Sequence, residues 1–254
     1  MVIKNYMRIN KFLSFSGLTS RRKAETLVLS GKVEVNDKVI SDLSYKVDLN
    51  KDVIKVDGKL VEIKKRRHYL LFYKPRWVLT ALGKDPGGLK TLDGYLKGLK
   101  LRLFPAGRLD FDSEGLLLLT DDGEFAHKIH HPSFKVIKKY QVLVNPVFDM
   151  VDKERVLSGC VLMGKFVKPD NFKILKNLSD ASWLEIAFHE GMKHLIKEYL
   201  KKMGYSVKRL IRVGIGDFKL TGIPGSYRWL SEEEVSNFKK KYFGDTAGDS
   251  DGEY

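Results

Sequence analysis

The chain has 254 residues, 43% hydrophobic and 31% charged, a balance that belongs to folded proteins and excludes wholesale disorder. Lys and Arg exceed Asp and Glu by 14, an excess that suits a polyanionic partner and has no evident use in an enzyme of small neutral metabolites. The single cysteine, Cys160, excludes an internal disulfide and any cysteine-cluster metal site.

The charge is uneven along the chain. Residues 1–67 hold 16 Lys/Arg against 8 Asp/Glu, residues 68–243 hold 30 against 20, and residues 244–254 hold four acids and no base. This division predicts a small basic module over 1–62, a basic linker over 63–67, a larger body over 68–243 and a glycine-rich, disordered acidic tail. The longest unbroken leucine run, 116–119, is too short to cross a bilayer, and the first residues lack an apolar stretch of signal-peptide length. A soluble, cytoplasmic protein with no membrane partner is expected, monomeric by default.

In the basic module, Ile9, Phe12, Leu13 and Ser16 fall at helical spacing, and Gly17 closes that helix. Ser20 caps a second helix with Ala24, Leu27 and Val28 as its apolar stripe and Gly31 as its stop. Val33 and Val35, an Asn36-Asp37 turn, then Val39 and Ile40 predict a hairpin. Arg21, Arg22 and Lys23 occupy the first turn of the second helix, where the helix dipole disfavours cations. Beside free backbone N–H groups they make a phosphate site. The span 7–60, through Arg8, Lys11, Leu13, Gly17, Ser20, Arg21, Arg22, Gly31, Val33, Val35 and Asn36, resembles the S4 RNA-binding domain. The resemblance implies docking on structured RNA, by backbone more than by base edges; Lys23 and Lys32 join Arg8, Lys11, Arg21 and Arg22 as candidate RNA contacts.

The body opens with YLLFYKPRWVLTA (69–81), an apolar strand broken at Lys74-Pro75. In FPAGRLDFDSEGLLLLTDDGEFAHKIHHPS (104–133), residues 116–119 read as a short buried strand, Asp121-Asp122-Gly123 as its turn and 124–129 as a helix. Asp110 lies on the loop before that apolar strand, a place that calls for a nearby cation, Arg108 or a distant lysine. Asp110 and Asp112 have the makings of a glycosidase carboxylate pair, but at a common spacing. His127, His130 and His131 have helical spacing without the acid a zinc protease needs, so no metal site is assigned. Cys160 reads as a packed thiol.

GRLD followed by GLLLLTDDGE resembles the signature of the RsuA/RluB family of pseudouridine synthases. The order of motifs agrees: the S4-like module, YKP, GRLD, Lys139-Tyr140 and a basic helix near the C-terminus, over residues 7–235. The resemblance implies an α+β fold, a small S4 module followed by a catalytic domain with a mixed, largely antiparallel sheet and flanking helices. It implies uridine-to-pseudouridine isomerisation in ribosomal RNA or an assembling ribosomal subunit, first in 23S rRNA and alternatively in 16S rRNA, with no metal or organic cofactor. A non-catalytic ribosome-assembly factor is the rival. By the same resemblance Asp110 is the catalytic carboxylate, Tyr140 stacks on the extracted uracil, and Lys197 pairs with the carboxylate. Lys193, Lys197 and Lys201 recur every four residues and predict one basic helix face, with Lys193 and Lys201 as RNA contacts. Arg108 is expected to fill the space the flipped base vacates or to hold phosphate. The chain departs from the family in having Leu195 where glutamine is usual and Glu198-Tyr199 where a second base and a methionine or leucine are usual.

Overall fold

The computed structural model describes residues 6–63, 66–99 and 101–244. Residues 64–65 of the predicted linker and 245–254 of the predicted tail lie outside them. The described residues fall into two compact units, one running to Arg67 and taking in Asp121–Gly123, the other holding the remainder.

In the first unit α1 (Ile9–Phe15) and α2 (Arg21–Leu29) form as the apolar spacing predicts. Ser20 caps α2 by accepting from the Lys23 N–H at 3.2 Å. Asn36 and Asp37 both have positive φ, the conformation a tight two-residue hairpin turn requires. The turn joins Val33–Val35 to Lys38–Val39 in a small sheet completed by Ile54–Val56 and Lys59–Leu60. Ile9, Phe12, Leu13, Ala24 and Val28 from the helices meet Val33, Val35, Val47, Ile54 and Val56 in one core.

The second unit is built on a nine-stranded sheet. Its main strands are β1 (Tyr69–Lys74), β2 (Glu114–Thr120), β3 (Lys138–Asn145), β4 (Asn171–Asn177), β5 (Ser182–Phe188), β6 (Ser206–Ile215) and β7 (Tyr227–Trp229), in the order β4-β5-β3-β6-β2-β1-β7. All neighbours in this order are antiparallel except β6 and β2, so the sheet is mixed and largely antiparallel. The flanking helices include α3 (Gly123–His130), α4 (Leu195–Lys202) and α5 (Glu232–Phe243). No helix among the described residues is long and apolar enough to cross a membrane.

The leucine run of β2 is continuous because both of its faces are covered. Leu116 and Leu118 pack with Phe125 and Ile129 of α3 and Val235 and Phe238 of α5. Leu117 and Leu119 pack on the opposite face with Leu70, Phe72, Val78 and Leu92. Each such side chain contributes about 1.5–3 kcal/mol by leaving water, which fixes β2 as the rigid centre of the sheet. A third core joins Val142, Leu184, Ile186 and Phe188 to Leu195, Ile196, Tyr199 and Leu200 of α4, seating that helix on β3 and β5.

Candidate active site

Sheet register places four residues in one transverse row. Lys74 of β1 pairs with Gly115 of β2, Gly115 with Arg212 of β6, and Arg212 with Tyr140 of β3. Gly115 permits this close approach: its φ is +111°, and a Cβ there would lie 2.3 Å from the Arg212 carbonyl oxygen. The GRLD loop enters β2 beside this row.

The loop is held by its backbone. Six consecutive carbonyls, from Arg108 to Ser113, each accept a hydrogen bond, from Arg212 Nη1, Thr80 Oγ1, the Ser113 N–H, the Trp77 N–H, Arg76 Nε and Lys74 Nζ in turn. Four of these donors belong to the segment 74–80, which spans the strand break at Pro75. Lys74 and Arg212, at 0% and 5% exposure, are buried cations whose donors serve carbonyl groups at the two ends of the loop. Burial pulls the Lys74 ammonium down to about 8, against the opposing pull of Asp112 and Asp110. The result is a carboxylate-bearing loop fixed before any ligand arrives, the arrangement that electrostatic preorganisation requires.

On this loop Asp110 faces two basic side chains. His194 Nε2 lies 3.4 Å from one carboxylate oxygen and Lys197 Nζ lies 3.5 Å from the other. Lys197 also donates to Asp112 Oδ1 at 2.6 Å, so the lysine is shared and its shorter contact is to Asp112. Burial pushes the Asp112 carboxyl up, but the Lys197 hydrogen bond and charge, with Arg76, outweigh it and hold Asp112 below the usual carboxylate range. The counter-charge expected for Asp110 is therefore present, divided between two acids.

One expectation is corrected by helix geometry. Lys193, Lys197 and Lys201 do not form a single helix face, because α4 begins only at Leu195 and Lys193 lies in the turn before it. His194 sits at φ +56°, in the left-handed region, which breaks any helical phase between Lys193 and Lys197. Lys201 is exposed on α4, whereas Lys197 is drawn to the carboxylates. Leu195, the departure from the family pattern, is 7% exposed and packs in the core with Ile196 and Tyr199. Tyr199 is fully buried and its hydroxyl donates to the Val156 carbonyl.

Tyr140 is half-buried, packed against the core that seats α4 and opposite Arg212 in the register. Arg108 is exposed at the start of the loop. In the N-terminal unit Arg8, Lys11, Arg21, Arg22, Lys23 and Lys32 are all exposed, and Lys32 has Asp57 at 3.4 Å. The first turn of α2 carries no acid to neutralise Arg21, Arg22 and Lys23.

Sequence reasoning missed Lys74, Thr80, His194 and Arg212. Only Lys74 carries a local signal, a lysine closing the otherwise apolar strand YLLFYK. His127, His130 and His131 do not form a ligand cluster; His131 instead accepts from the Ser133 N–H. The one group of potential ligands among the described residues is Asp170, His189 and Glu190, with ligand atoms within 4.8 Å of one another. There His189 Nδ1 is 2.9 Å from both Asp170 oxygens, and Lys138, held to the His189 carbonyl at 2.9 Å, adds a positive charge. Cys160 is half-buried and burial pushes its thiol up, the setting of a packed rather than a reactive cysteine.

Comparison with known proteins identifies the family. The RNA pseudouridylate synthase family matches residues 68–202 and the S4 domain matches residues 7–53. An uncharacterized RNA pseudouridine synthase of Aquifex aeolicus (strain VF5) is 45% identical, over 92% of this chain and 94% of that protein. The ribosomal large subunit pseudouridine synthase B of Bacillus subtilis (strain 168) is 35% identical, over 91% and 95%. A crystal structure of a pseudouridylate synthase superposes with a TM-score of 0.64 at 26% identity, covering 91% of this chain and 98% of that one. The fold is that of an RNA pseudouridine synthase with an N-terminal S4 domain, and the chain belongs to the RsuA/RluB family of these enzymes. It is an isomerase of uridine in RNA.

Proposed function

We propose that the substrate is ribosomal RNA, that the target uridine lies in 23S rRNA, and that Asp110 is the catalytic carboxylate. The observation that carries the chemistry is the Asp110 carboxylate set between His194 and Lys197 on a loop whose carbonyls from Arg108 to Ser113 are engaged. The large-subunit target is supported by the likeness to the Bacillus subtilis enzyme across nearly its whole length. The same reading includes a monomeric, cytoplasmic enzyme that meets its target on rRNA or on an assembling subunit.

In this reading the target uridine leaves its stack, at a cost of a few kcal/mol, to reach Asp110. The N1–C1′ bond breaks while Asp110 adds covalently to the sugar or base, or stabilises cationic character at C1′. The base turns, a C5–C1′ bond forms, C5 loses its proton and N1 gains one, so the step is an isomerisation without redox change. Lys197, shared with Asp112, balances the Asp110 charge, and the Tyr140 ring holds the detached uracil by stacking. Arg108 takes the vacated space or a phosphate, and the exposed cations Arg8, Lys11, Arg21, Arg22, Lys23 and Lys32, with Lys193 and Lys201, hold the RNA backbone.

The test is tritium release from 23S and 16S transcripts labelled at uridine C5. Release from 23S alone supports the large-subunit reading. Release from 16S alone replaces it with the small-subunit one. Release from neither, by active enzyme, overturns free ribosomal RNA as the substrate.

A further inference from the structure

We propose that Trp77, flanked by Phe111 and Arg76, is a stacking platform for an unpaired base neighbouring the target uridine. The proposal rests on Asp110 being the reacting carboxylate. Trp77 sits at φ +61°, a left-handed conformation that bulky side chains rarely adopt. Its side chain gains no core burial in return: it is 53% exposed and belongs to none of the four apolar cores. Strain held at an exposed residue points to function rather than packing.

The surroundings say what the ring meets. Phe111, the residue after Asp110, stands edge-on to Trp77 with centroids 5.5 Å apart. The backbone N–H of Trp77 donates to the Phe111 carbonyl at 2.7 Å, tying the Trp77 backbone to the loop that carries Asp110. The Arg76 guanidinium lies 4.9 Å from the Trp77 ring centroid, and its Nε is fixed on the Asp112 carbonyl at 3.1 Å. An exposed indole with the Arg76 guanidinium over its ring fits a nucleobase carrying a phosphate, by stacking and charge together. Drawing one uridine out of a strand leaves its neighbours unstacked, and such a base is an occupant this enzyme's own reaction supplies.

The variants are W77G and W77F in the full chain, assayed by tritium release on the 23S and 16S transcripts. Glycine adopts φ +61° freely, so W77G is expected to unfold at the same temperature as the wild type or higher. Its kcat/KM is expected to fall about 5- to 150-fold, the loss falling in KM, while W77F stays within about three-fold of wild type. A residue that served folding alone would lose thermal stability in W77G and keep its RNA kinetics. W77G with wild-type kcat/KM overturns the proposal, and a protein-docking face would give that same result. If D110N retains turnover, the Asp110 assignment falls and the platform is still judged by W77G. If wild type releases no tritium from either transcript, the ribosomal reading falls, and the platform is judged by tryptophan emission on adding the transcripts. An emission change that W77F abolishes then supports it, and one that W77F leaves intact overturns it.

Discussion

The two units use cations in opposite ways. In the N-terminal unit Arg8, Lys11, Arg21, Arg22, Lys23 and Lys32 stand in solvent, three of them in a helix turn with no acid. In the catalytic unit Lys74, Lys138 and Arg212 are each at most 5% exposed and donate to backbone carbonyls. Solvated cations keep their hydration until a polyanion displaces their counterions, which suits reversible, salt-dependent binding. Buried cations have already lost water, so their fields are strong and fixed, which suits chemistry at one carboxylate. The same residue types thus divide into a solvated surface suited to a polyanion and an interior that shapes a loop.

The sharpest break between the two roles is at Asp110. If Asp110 is the reacting group as proposed, D110N is expected to cut tritium release by about 10³-fold or more while leaving RNA affinity unchanged. Next comes K197M, which strips both Asp110 and Asp112 of their shared counter-charge. Single-turnover rates are expected to fall about 10- to 10³-fold, again with little change in affinity. The opposite pattern is expected from the triple variant R21A/R22A/K23A. Each lost phosphate contact lowers the slope of log affinity against log salt by about 0.7–0.9, so the triple variant loses about 2 to 3 units of slope while kcat at saturating RNA holds. Titrations across a salt series check it.

The smallest effect is on stability. Burial holds Lys74 at about 8, below the value of the same lysine in an unfolded chain. Between those values the unfolded chain binds a proton the folded chain has released, so stability rises as pH goes from 8 towards 10. Lys138, also held at about 8 by burial and Arg212, acts in the same direction. K74M should flatten the rise but not abolish it, as read from urea midpoints at pH 7.5 and 9.5; an unchanged slope would mean that Lys74 is not the buried charge described.

Much of this was legible in the sequence, for physical reasons. The S4 helices follow from apolar spacing and a serine cap, and β2 from a leucine run that only a strand covered on both faces accommodates. The pairing of Asp110 with Lys197, 87 positions away, came from the order of family motifs, because no local pattern reports so distant a contact. Most of what remained hidden acts through backbone. Lys74, Thr80 and Arg212 hold carbonyls, which leave no side-chain signature at the other partner. The four-residue spacing of Lys193, Lys197 and Lys201 suggested one helix face, and only the backbone angle of His194 shows that the phase is broken. Asp112 looked like a coincidence of spacing until the shared lysine gave it a partner.

The most direct test of the central claim is pseudouridine mapping of 23S and 16S rRNA from cells carrying the wild-type protein, D110N or neither. One 23S position is expected to be modified with the wild type and unmodified with D110N and in the absence of the protein. An unchanged map in all three, or a site that D110N still modifies, would contradict it.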